Sequence, residues 1–70
     1  MDIRELTCMI IRKDGAYLVG TVMNTKLLRW SESAYDAWRT KRRADAEKMA
    51  RFTGGRILIF NPGTGEVGEL

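Results

Sequence analysis

Three short segments are apolar on both sides of an extended chain, and this limits the fold more than any other feature. In "LTCMII" (6–11), Leu6, Cys8 and Ile10 project one way while Met9 and Ile11 project the other. In "YLVGTVM" (17–23), Tyr17, Val19 and Met23 oppose Leu18 and Val22. In "ILIF" (57–60), Ile57 and Ile59 oppose Leu58 and Phe60. A sheet with one wet face alternates apolar and polar residues, so strands of this kind need a cover on each face.

The chain has little with which to make two covers. It is 70 residues long, enough for one small domain over residues 1–70. A scaffold of this size usually needs a staple. Cys8 is the one cysteine, so no internal disulfide forms. With no histidine, a zinc site of about four ligands cannot be built around it. No metal or cofactor is expected.

The elements follow from local signals. Strands are expected at 5–12, 16–23 and 26–31, separated by an Asp14-Gly15 hairpin turn and an Asn24-Thr25 turn. They form an antiparallel meander. In 32–40, Tyr35 and Trp38 lie three apart, and the segment predicts an irregular connection with one turn of helix from Ser33. Thr40 is placed to cap a helix over 41–52, whose Ala46, Met49, Ala50 and Thr53 make the buried stripe. Gly54-Gly55 ends it. A strand at 56–61, a turn at 62–65 and a short edge or tail complete the chain. The class is α+β, an antiparallel β-sheet of about four strands in the order β-β-β-α-β with one helix packed on one face.

That helix covers one face. The other is expected to pack against a second copy, giving a homodimer through the uncovered face. The alternative cover is the 32–40 segment, folded over with Tyr35 and Trp38.

Several chemistries are excluded or unsupported. Without histidine, neither a Ser–His nor a Cys–His pair exists. Cys8 reads as a buried small hydrophobe. "GTGEVG" (63–68) matches G-x-G-x-x-G in letters, but two residues remain after it, so no helix follows to hold a pyrophosphate. An enzyme is not expected, though a small hydrolase with Asp36 and Glu32 in one pocket is the version the structure can test. No window approaches the roughly 18 apolar residues of a membrane span. The start, "MDIRELTCMII", lacks a basic n-region, so a cytoplasmic location is expected.

The basic residues offer the best candidate surface. The formal net charge is +3, from 12 Lys and Arg against 9 Asp and Glu. Four of the cations, Arg39, Lys41, Arg42 and Arg43, sit where the helix begins, at the positive end of its dipole. At i,i+4 spacing Lys41 meets Asp45, and Arg43 meets Glu47, which also meets Arg51. Arg39 and Arg42 are left over. Asp36 or Glu32, an acidic protein surface, a phosphate or solvent alone would answer them. Trp30 and Trp38 stand beside Arg29 and Arg39, a combination that serves cores, protein interfaces or base stacking.

The segment "DAWRT…A…MA…GGRILIFNPGTG" resembles small uncharacterised open reading frames of bacteriophages and mobile elements in Gram-positive bacteria. The likeness spans residues 28–65 and carries no functional residue with it. It implies a compact phage protein that binds a host or defence protein, or a small nucleotide signal. The sequence thus points to a non-enzymatic protein-binding module using Arg39, Arg42, Arg43, Trp38 and Tyr35. Its alternative is a nucleic-acid or nucleotide binder using the same basic end with Trp30 and Arg29.

Overall fold

The computed structural model describes residues 7–21 and 27–70. The Asn24-Thr25 turn and the outer ends of the first three expected strands lie outside them. Among the described residues the architecture is α+β, with one α-helix and a five-stranded antiparallel sheet. Strands β1 (Cys8–Lys13), β2 (Ala16–Thr21) and β3 (Leu28–Ser31) precede a 3-10 turn at Ala34–Asp36. Helix α1 (Arg43–Thr53), β4 (Arg56–Asn61) and β5 (Glu66–Glu69) follow. The sheet order is β3-β2-β1-β4-β5. The expected edge or tail is thus a fifth strand, whose Val67 pairs with Phe60.

Local chemistry sets the turns. Asp14 and Gly15 both take positive φ, 53° and 83°, as a two-residue type I′ hairpin requires. Gly54 closes α1 in the left-handed region at φ 76°, its N–H donating to the Ala50 carbonyl at 2.8 Å. Gly55 is needed for space, since a Cβ there would lie 2.6 Å from Ile11 Cγ2. The helix packs on β1 and β4 through the expected stripe, with Ala46 and Thr53 buried and Met49 and Ala50 half-buried. Thr53 is satisfied there, donating to the Met49 carbonyl at 2.9 Å and accepting from Gly55 N at 3.2 Å.

The start of the helix differs from expectation. Arg42, not Thr40, is the N-cap, and its side chain makes no capping bond. Thr40 lies two residues ahead of it, where its Oγ1 accepts from Arg42 N at 3.1 Å and its backbone pairs with β1. Its N–H donates to the Met9 carbonyl at 3.0 Å, and its carbonyl accepts from Met9 N at 2.8 Å. Two residues earlier, Trp38 N donates to the Leu18 carbonyl at 2.8 Å. The ladder between β1 and β2 runs only from Lys13–Ala16 to Arg12–Tyr17. Beyond that point the two strands part, and residues 38–40 fill the gap as a wedge.

The wedge carries the chain through the plane of the sheet. Before it, the 3-10 turn lies on the face that α1 leaves open. Ala37 is only 5% exposed there, in a cluster with Cys8, Ile10, Tyr17, Leu58 and Phe60. Ala34 and Val67 pack against the same cluster. Tyr35 meets Phe60 edge-on at 5.2 Å between ring centroids. The second face therefore has a cover within the chain, as the alternative reading of 32–40 has it for Tyr35 but not for Trp38, which lies on the helix side. Among the described residues this face is covered, which removes the ground, an open apolar face, from which the homodimer was expected. Phe60, Ile10, Ile11 and Leu18 are fully buried, each contributing about 1.5–3 kcal/mol by the usual area relation.

Candidate functional site

The expected contact group does not form one surface. Residues 37–39 alternate like a strand. Ala37 and Arg39 belong to the lid face, while Trp38 stands against α1 on the other. Tyr35 and Trp38 therefore lie on opposite sides of the sheet. Arg39 is also occupied, donating to the Tyr35 carbonyl at 2.8 Å with its guanidinium 5.5 Å from the Phe60 ring centroid. Its role is to clasp the lid.

Arg43 pairs with Glu47 at 3.1 Å, as the i,i+4 spacing predicts. Asp36 does not fold back onto the basic cluster and accepts instead from Ser31 Oγ at 3.1 Å. Arg42 is the leftover cation: it makes no ion pair with an acid among the described residues, and its side chain makes no capping bond at the helix start. Arg29 and Trp30 lie on the edge strand β3, remote in register from this end. Trp30 lines a small concavity of about 270 Å3 with Lys13, Asp14 and Ala16.

Trp38 has better company than the sequence suggests. With Met49 and Phe52 it lines an apolar groove of about 560 Å3 beside α1, rimmed by Asp45, Lys48 and Arg51. Phe52 is 61% exposed, an unusual place for a large aromatic side chain. Sequence reasoning listed neither Phe52 nor Met49 as a contact. The available signal was Phe52's position in α1, outside the 46, 49, 50, 53 stripe.

A second concavity, about 480 Å3, lies by the hairpin turn. Arg12, Lys13 and Arg56 stand around it with Asp14 and Glu69, over Leu58 and Val67. These residues were not expected to act together, because the pairing of β1 with β4 that joins them is not a local property.

Burial raises the Cys8 thiol above its ordinary range, only partly offset by Arg39 and Lys41, and its Sγ points to the Phe60 carbonyl at 3.6 Å. A protonated, buried thiol is a poor nucleophile. Asp36 and Glu32 line none of the three concavities described above, and Asp36 accepts instead from Ser31 Oγ. Among the described residues no cluster of three or more His, Cys, Asp or Glu is placed to hold a metal ion. None of their helices is long and apolar enough to cross a membrane. No protein family, curated protein or solved structure matches this chain.

Proposed function

We propose that this chain is a binding module that acts by occupying a protein partner through the groove between Trp38 and α1. The exposure of Phe52 beside Trp38 and Met49 carries the reading. An aromatic side chain left in water next to an apolar groove is a typical anchor for a partner's side chain. Lys48 and Arg51 outnumber Asp45 at the rim, and the basic start of α1 extends the same charge. The segment that fits is apolar at its centre and acidic at its flanks. In its most concrete form the module is a phage-encoded modulator of a host or defence protein, a context that the sequence resemblance supplies.

A photo-crosslinker at position 52 tests the reading. It should capture one defined protein, and capture should fall at least about tenfold when Lys48 and Arg51 are both changed to glutamate. Equal capture from a crosslinker at Glu66, on the far edge strand, would remove the groove from the account. Self-association is the competing use of the surface. A dimer in sedimentation that is lost on Phe52→Asp would make the occupant a second copy. The nucleic-acid alternative predicts instead a low-salt complex with DNA or RNA that weakens steeply as salt rises.

A further inference from the structure

We propose that the concavity beside the hairpin turn binds a small organic phosphate, with Arg12 and Arg56 holding the phosphoryl group. The pairing of β1 with β4 sets Arg12 directly opposite Arg56. Directly opposed residues have Cβ atoms about 4.5–5.5 Å apart, and like charges placed so repel one another. Sheets usually avoid such a pair or neutralise it.

The neutralisation here is incomplete. Arg56 reaches Glu69 at 3.2 Å, but the two side chains are 75% and 79% exposed, a pair of little strength. Arg12 makes no ion pair with an acid among the described residues. Its guanidinium instead lies over the Tyr17 ring, 5.5 Å from the centroid. That cation–π contact anchors the guanidinium while leaving its N–H donors for a ligand. Lys13 adds a third cation at the rim, where its Nζ donates to the Thr53 carbonyl at 3.0 Å. Asp14 and Glu69 are the two acids in the same wall.

Shape supports a ligand with an apolar body. Leu58 and Val67 form the floor. Gly15 and Gly68 contribute no side chains, and nothing lies within 4 Å of where a Cβ would stand on either. The volume, about 480 Å3, falls in the range of small-molecule sites. A bidentate arginine pair suits the phosphoryl oxygens, and the floor suits an aromatic or aliphatic group attached to them. The site faces the lid side of the sheet and shares no residue with the groove, so it stands or falls apart from the protein-binding reading.

Titration of the protein with phenyl phosphate, followed by amide and arginine Nε–H NMR, tests it. Shifts should centre on Arg12, Arg56 and Gly68, and phenyl phosphate should bind at least about tenfold more tightly than inorganic phosphate. Arg12→Gln and Arg56→Gln should each weaken binding by about tenfold or more, while Arg42→Ala leaves it unchanged. Arg12→Lys, which keeps the charge and loses the fork, should fall between. The dispersion of each variant's spectrum reports that it is folded. Shifts confined to residues 42–45, or unchanged affinity in both glutamine variants, would overturn the proposal.

Discussion

At the scale of single residues, Cys8 links packing to pH. Burial raises its thiol above the ordinary value of 9.0, so the folded chain keeps a proton that the unfolded chain gives up. The sign follows from linkage. The stability tied to this group is intact below about pH 9 and is lost as pH rises above it. Urea unfolding between pH 7 and 10 should therefore show wild type losing stability faster than Cys8→Ala above pH 9. Parallel curves for the two proteins across that range would refute the link. Arg39 makes a similar point about local reading. Sequence spacing leaves it an unanswered charge, yet it answers a carbonyl and a ring face on its own lid.

At the scale of elements, the wedge at 38–40 behaves as a strand too short to be assigned one. The amides of Trp38 and Thr40 are bonded to carbonyls of β2 and β1, and Arg39 between them is exposed. In hydrogen exchange, Trp38 and Thr40 should be slower than Arg39 by about a hundredfold, by the usual spread between bonded and open amides. Uniformly fast exchange through 38–40 would mean that the gap between β1 and β2 is not held shut. The same element explains what the sequence could and could not reveal. The hairpin, the α1 stripe, its glycine stop and the strand at 56–61 rest on neighbours in the chain, and all were legible. Tyr35 and Trp38 were read at helical spacing, although a 3-10 turn joins a two-residue alternation between them. Thr40 looked like a cap because its competing use, a bridge to Met9, is set by residues about thirty positions away. The opposition of Arg12 and Arg56 was hidden for the same reason.

At the scale of the whole molecule, a small chain with a single cysteine covers both faces of its sheet by sending one connection through it. The lid rests on a narrow base, with Ala37 as its buried foot. Ala37→Asn would bury an amide without partners, a cost of about 1–3 kcal/mol. The expected result is lid release, seen as dye binding to the bared apolar face and more self-association in sedimentation than wild type shows. A variant that binds no more dye, associates no more than wild type and is equally stable would mean that the lid is not what keeps that face covered. The wedge also bears on how the protein reaches this state. A hairpin normally zips from its turn within microseconds. Here the zipper stops after Arg12–Tyr17, because the next place beside β1 belongs to residues that arrive later in the chain. Closure must wait for partners such as Phe60, which lies 52 positions from Cys8, so the search is long-range and slow for a chain of this length.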